Sequence, residues 1–214
     1  PLLVLMAIRP QARNPQGIRI PELFVEPPET VRNWIAPATP SATGYAFTLL
    51  DRIVRLAEPV FPTEPRRRAI EKAVAFVTER LNGEDGLGGI FPAMANSLMM
   101  FDCLGYPDDH PDRVTAAAAL RKLVVDDGEQ AYCQPCLSPV WDTALACHAL
   151  MEVGETRLTP AVRQALDWLA DKQVLDTMGD WAVARPGLRP GGWAFQYANP
   201  YYPDLDDTAA VALA

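Results

Sequence analysis

An all-α chain of antiparallel helices joined by long, ordered Gly/Pro/aromatic loops is the fold class this sequence predicts, and three observations predict it. Apolar residues recur at helical spacing in segment after segment. No stretch sustains the apolar/polar alternation of a half-buried strand. A unit of helix, Gly/Trp turn and helix occurs twice, which describes a helical-hairpin array that closes readily into an α/α toroid.

Residues 9–44 are broken by Pro10, Pro15, Pro21, Pro27, Pro28, Pro37 and Pro40, so only a short helix over Glu29–Ile35 fits there. Phe47, Leu50, Ile53, Val54 and Ala57 mark one face of a helix over Ala46–Leu56, ended by Pro59. Ile70, Val74, Phe76, Val77 and Leu81 predict the next over Arg66–Leu81. Ala93–Leu104 is almost wholly apolar, and Val114–Val125 is amphipathic. A helix over Asp142–Val153 follows Pro139, read as a block to any earlier start, and Pro160–Lys172 carries proline in its first turn. The apolar run Ala209–Ala214 continues a last helix that starts near Thr208.

The chain has 214 residues, enough to bury a core, and its 49% hydrophobic against 21% charged residues mark it as globular. A net charge of -8, with Arg66-Arg67-Arg68 the only basic run, excludes nucleic acid as a partner. The opening run Leu2–Ile8 is too short to span a membrane and lacks the flanks of a signal peptide. Because the chain opens in one apolar run and stops in another, it reads as a piece of something longer. Cys133 and Cys136 have CxxC spacing, yet neither His110 nor His148 brings a partner at ligand spacing. With Cys103 and Cys147 they read as ordinary thiols of a reducing compartment, and no metal is assigned.

Asp204, Asp206 and Asp207 stand within four residues, between the aromatic run Trp193–Tyr202 and the apolar run Ala209–Ala214. Carboxylates this close cannot all ionise cheaply, so one keeps a proton it can donate. The plainer explanation is that Asp206 or Asp207 caps the helix that follows. Internal repetition weighs for chemistry: Val140-Trp141-Asp142-Thr143-Ala144 matches Leu205-Asp206-Asp207-Thr208-Ala209 at an offset of 65 positions. Upstream, Lys72-Ala73-x2-Phe76-Val77 matches Gln164-Ala165-x2-Trp168-Leu169, each running on into a Gly-rich turn. The Asp shared by both copies, 142 and 207, reads as an N-cap. The position before it differs, which singles out Asp206 as the acid and Trp141 as an aromatic wall.

These residues resemble the squalene-hopene cyclases, a branch of the class II triterpene cyclases. The QW motif matches as Ala165-x2-Trp168-Leu169-x3-Gln173-x5-Gly179-x-Trp181, and the DxDD motif as Asp204-Leu205-Asp206-Asp207. Gly192–Asn199, Ser138–Thr143 and Asp85–Ile90 are also similar to the family, so the resemblance spans the chain. It implies a proton-initiated cyclisation of squalene to hopene and hopanol, without metal or cofactor. Asp206 would protonate the terminal alkene, with Asp204 and Asp207 positioning it and tuning its acidity. Trp141 and Phe195 would line the substrate cavity, and Trp168, Gln173 and Trp181 would be structural QW residues. The implied fold is two α/α barrels, with residues 1–141 the later part of the first and residues 142–214 the start of the second, DxDD-bearing one. Members are homodimers attached to one face of a membrane. For this chain that implies a peripheral, monotopic protein on the cytoplasmic side of a bacterial inner membrane, with the attachment segment expected outside these 214 residues. The histidine that supports the acid lies downstream of Ala214, so the chain alone should be inactive. Leu81 and Gly88 stand where the first QW copy wants Gln and Trp, so that copy is degenerate.

The chemistry suits the residues. Protonating an alkene needs a strong acid in a dry site, and aromatic faces stabilise the resulting cations by roughly 2 kcal/mol when desolvated. Arg185 and Arg189 read as loop anchors or partners of Asp180. Alternatives stay open: a class II cyclase of another isoprenoid polyene, an inverting glycosidase using two of Asp180, Asp204 and Asp206, or a non-catalytic helical scaffold. A diphosphate-dependent enzyme fits less well, because Asp206-Asp207-Thr208-Ala209-Ala210 lacks the last residue of DDxxD, and an oxidosqualene cyclase would have Cys in the acid motif.

Overall fold

A computed structural model describes residues 1–11, 13–31, 40–157 and 159–214. These form two compact units, Pro10–Ala69 and the larger Pro1–Arg9 with Ile70–Ala214.

In the smaller unit the proline-rich stretch makes only single 3-10 turns at Pro21–Leu23 and Pro28–Thr30. The remainder of the expected helix over Glu29–Ile35 lies largely outside the described residues. Helix α2 (Ala42–Ala57) starts where Ser41 Oγ accepts the Gly44 N–H at 3.0 Å, satisfying one of the free donors of its first turn. It stops before Pro59, which sits in the following 3-10 turn Glu58–Val60. The expected apolar face is present but uncovered: Phe47, Leu50, Ile53 and Val54 are all exposed, and α2 buries no residue.

The larger unit is built from paired helices. Helix α1 (Leu2–Ile8) places Val4 in a cluster with Val77 of α3 (Thr63–Arg80), Met100 and Phe101 of α4 (Phe91–Cys103) and Ala116 of α5 (Pro111–Lys122). Met94, early in α4, packs with Ala119 and Leu123 at the end of α5, so α4 and α5 run antiparallel. The same logic orders the other half. Val140 and Ala144, early in α6 (Pro139–Glu152), pack with Leu166 and Leu169 of α7 (Pro160–Asp171), while Cys147 and Met151 pack with Val162 and Ala165. Those two are therefore antiparallel. Val211 and Ala214, in and just after α8 (Leu205–Leu213), meet Ala144 and Cys147 in turn, so α8 lies parallel to α6. Hairpins alternating in this way are the unit of an α/α array.

Several helices start earlier than the sequence reading expects, α3 at Thr63, α4 at Phe91, α5 at Pro111, α6 at Pro139 and α8 at Leu205. Pro139 occupies the first position of α6 instead of blocking it, because a first-turn residue has no N–H to lose to the helix ladder. Two hairpins too short to show alternation also appear: β1 (Val124–Asp126) with β2 (Ala131–Cys133), and β3 (Trp193–Ala194) with β4 (Pro203–Asp204). The division expected between residues 141 and 142 falls in the first turn of α6. No helix among the described residues is long and apolar enough to cross a membrane.

Candidate active site

The acid segment is the junction of β4 and α8. Asp204 ends β4 and caps α8: its Oδ1 accepts the Asp207 N–H at 2.8 Å. A carboxylate suits that place, since the first turn of a helix offers free N–H groups and a positive dipole end. Asp207 points inward and is 3% exposed, with Oδ1 lacking any hydrogen-bond partner among the described residues. Burial, reinforced by a side-chain hydrogen bond with Asp204 and by the charges of Asp204 and Asp206, raises its pKa to about 7. Asp206, the neighbour on the helix, is exposed, as is Leu205. The acid held against an apolar wall in this chain is thus Asp207, and the expectation that Asp206 faces a closed aromatic chamber is not met by these residues. Helical period explains the difference: Asp207 shares a face with Val211 and Ala214, both buried, whereas Asp206 is turned away from it.

Three hydrogen bonds fasten the aromatic loop, one to this turn, one to the end of α7 and one to the start of α6. Trp193 N–H donates to Thr208 Oγ1 at 3.0 Å, and its indole Nε1 donates to the Leu169 carbonyl at the end of α7 at 2.6 Å. The Thr208 side chain packs so closely on Gly192 that a Cβ there would lie 2.6 Å from Thr208 Oγ1. Ser138, buried, donates from Oγ to the Phe195 carbonyl at 2.7 Å and accepts the Trp141 N–H at 3.0 Å. That one hydroxyl caps α6, which carries Trp141, and joins it to the loop that carries Phe195. Both aromatic residues are half-buried.

Phe195 lies over Gly89, which adopts φ 63° and leaves an added Cβ only 3.5 Å from the ring. With Phe76, Leu87 and Tyr202 it lines a mostly apolar recess of about 290 Å³, bordered by Arg80 and Asp180. Arg80 pairs with Asp180, Nε and Nη2 both donating to its carboxylate, so of the two roles the sequence left open for Arg185 and Arg189, loop anchors or partners of Asp180, the second falls to Arg80. Two of the QW residues, Trp168 and Gln173, bind the end of α7 to residues of the aromatic loop and its approach, while Trp181 braces the intervening stretch. Gln173 Nε2 donates to the Gly191 carbonyl at 2.7 Å, Trp168 stacks on Tyr197 at 6.2 Å, and Trp181 Nε1 reaches the Leu188 carbonyl at 3.4 Å.

The capping assignment also changes. Ser138 and Asp204 are the caps, so Asp142 and Asp207 sit inside the first turns instead of preceding them. Ser138, Thr208 and Arg80 were missed as site builders. The Ser-Pro before Trp141 was a readable cap signal, whereas the Arg80 pairing spans 100 residues and leaves no local trace.

Comparison with known proteins places this geometry. The squalene-hopene cyclase N-terminal domain model matches residues 1–129, and the squalene-hopene cyclase C-terminal domain model matches residues 137–214. The chain is 52% identical over 215 residues to the squalene-hopene cyclase of Bradyrhizobium diazoefficiens and 53% identical over 220 residues to that of Zymomonas mobilis. It is 36% identical over 217 residues to the squalene-hopene cyclase of Alicyclobacillus acidocaldarius. Each match takes in 100% of this chain and 33% of the relative, so the chain spans about a third of the length of these curated relatives. Its all-α architecture is of the α/α-toroid class. With the DxDD turn, the QW contacts and both domain matches in one polypeptide, the chain belongs to the squalene-hopene cyclase family.

Proposed function

We propose that the protein carrying this chain cyclises squalene to hopene and hopanol, with Asp206 delivering the initiating proton to the terminal alkene. The observation that carries the reading is the α8 acid turn: three carboxyl groups at a helix N-terminus, of which Asp207 is buried with its pKa raised to about 7, tied through Thr208 to an aromatic loop that Ser138 in turn ties to α6. The names of the relatives support the substrate.

The residues divide the work as follows. Proton transfer from Asp206 to the alkene makes a tertiary carbocation and leaves a carboxylate in the first turn of α8. The free N–H groups and dipole end there stabilise that negative charge, which strengthens the acid. Asp204 fixes the turn by capping it, and Asp207, kept neutral by burial, spares the site a second adjacent negative charge. Ring closure moves the cation along the polyene, and the π faces of Trp141 and Phe195 stabilise it by about 2 kcal/mol. Loss of a proton gives hopene, an isomer of squalene; capture of water followed by loss of a proton from the oxonium oxygen gives hopanol. Trp168, Gln173 and Trp181 hold the loop and touch no reacting atom. No metal or cofactor enters this scheme.

Residues 1–141 and 142–214 belong to two successive α/α barrels in this reading, which the separate N- and C-terminal domain matches support. Membrane contact falls to α2: its uncovered face of Phe47, Leu50, Ile53 and Val54 suits a peripheral, monotopic helix, although the sequence alone suggested none. The protein would then sit on the cytoplasmic side of a bacterial inner membrane, as a homodimer taking squalene from the bilayer.

A second reading makes Asp207 the donor, because it is the buried carboxyl with the raised pKa. The two separate by mutation in the full-length polypeptide, given squalene in detergent and assayed for pentacyclic products by gas chromatography. Asp206→Asn should abolish turnover while Asp207→Asn retains a measurable part. The reverse pattern assigns the proton to Asp207, and turnover surviving in both variants removes the DxDD chemistry.

A further inference from the structure

We propose that Arg80 is a positioning residue for the acid turn, holding through Asp180 and Tyr201 the segment that leads into Asp204. This rests on the cyclase reading above and adds to it a residue that is none of the named letters of the DxDD and QW motifs, standing at a variable position of the degenerate first QW copy.

Arg80 is the last residue of α3, and its side chain is only 10% exposed. Its donors are committed in three directions. Nε and Nη2 form a two-pronged pair with the Asp180 carboxylate, and Nη1 donates to Glu79 Oε2 at 2.7 Å and to the Phe76 carbonyl at 3.2 Å. A guanidinium so occupied is no receptor for an anionic ligand; its planar fork makes it a structural clamp. The faces of the plane are used too, with the Phe76 ring centroid at 3.6 Å and the Tyr201 centroid at 4.7 Å.

Tyr201 is where the clamp meets the chemistry. Arg80 holds its ring directly and its backbone through Asp180, whose N–H donates to the Tyr201 carbonyl at 2.8 Å. At Gly179 the loops press so tightly that any Cβ would collide with the Tyr201 carbonyl and the Trp181 ring. On its other side Tyr201 N–H donates to Asn199 Oδ1 at 3.0 Å. Two residues later the chain enters β4, whose last residue is the Asp204 that caps α8 and orients Asp207. Between a clamped Tyr201 and a capping Asp204 there is little slack, so displacement at 201 moves the acid turn.

The test uses the full-length polypeptide with Arg80→Met, Arg80→Lys and Tyr201→Leu. Misplacing a reacting group by about 1 Å can cost on the order of 100-fold in rate. Arg80→Met is expected to lower kcat for squalene by 10- to 100-fold, with KM and the hopene-to-hopanol ratio unchanged. Arg80→Lys, which keeps the charge but not the fork, should fall between. The readout that a merely structural role would not move is the Asp207 titration, followed by carbon NMR of labelled aspartate. A loosened turn admits water, so the Asp207 pKa should drop from about 7 toward the ordinary carboxylate range in Arg80→Met. Unchanged kcat and an unmoved titration in folded Arg80→Met overturn the proposal, as does a rate loss matched by loss of folded protein with the titration unmoved. Should Arg80→Met not fold, the same criteria apply to Arg80→Lys and Tyr201→Leu. A wild type that makes no pentacyclic product defeats the cyclase reading instead, while the NMR titration still decides whether Arg80 sets the acid turn.

Discussion

Raising the pH from 4 to 8 should destabilise the fold through Asp207, and Asp207→Asn should remove that effect. Burial and the neighbouring carboxylates lift its pKa from 3.8 to about 7, so the folded state holds this proton more tightly than the unfolded chain does. A group of that kind contributes fully below the unfolded value, and the contribution is lost as pH rises to the folded one. The slope approaches about 1.4 kcal/mol per pH unit, giving on the order of 4 kcal/mol across the window. Asparagine cannot ionise, has nearly the same shape and can still donate to Asp204. The variant should therefore lose the slope and be the more stable form above pH 7. Urea denaturation of the full-length wild type and variant, followed by far-ultraviolet circular dichroism at pH 5, 6, 7 and 8, measures the difference. Parallel stability profiles for the two proteins would falsify the claim that Asp207 is a buried, neutral acid.

Other substitutions probe the ties around the turn. Ser138→Ala removes the α6 cap and leaves the Phe195 carbonyl without its donor, so stability should fall by about 1 to 2 kcal/mol in the same denaturation assay. Gly192→Ala forces a Cβ to 2.6 Å from Thr208 Oγ1 and should cost about 1 to 3 kcal/mol, while Gly187→Ala, in open space, should cost little in comparison. On α2, Phe47→Asp with Ile53→Asp should weaken sedimentation with anionic liposomes and leave the melting temperature unchanged, because neither side chain is buried. A large drop in melting temperature would mean that this face packs against protein instead.

Helices were legible because their signals are local. The periodic apolar residues of Ile70–Leu81, and proline at the start of Pro160–Asp171, each report on a single element. Boundaries are ambiguous where one residue type has two uses: proline suits a breaker as well as the first-turn place Pro139 takes, and Asp142 suits a cap although Ser138 is the cap. The short hairpins escaped because two or three residues cannot alternate visibly. Periodicity gave α2 an apolar face, yet it cannot say whether anything covers that face. The DxDD cluster stood out on composition alone. Which of its members is buried follows from the helical register of Asp207 with Val211 and Ala214, a signal present in the sequence. The Arg80 to Asp180 pair depends on packing between segments 100 residues apart, where sequence spacing carries no information.

The most direct measurement is squalene turnover by full-length wild type and Asp206→Asn, both shown to be folded by circular dichroism. Pentacyclic hydrocarbon from the wild type and none above background from the variant is the predicted result. Equal product from both would contradict the assignment of the initiating proton to the α8 acid turn at Asp206.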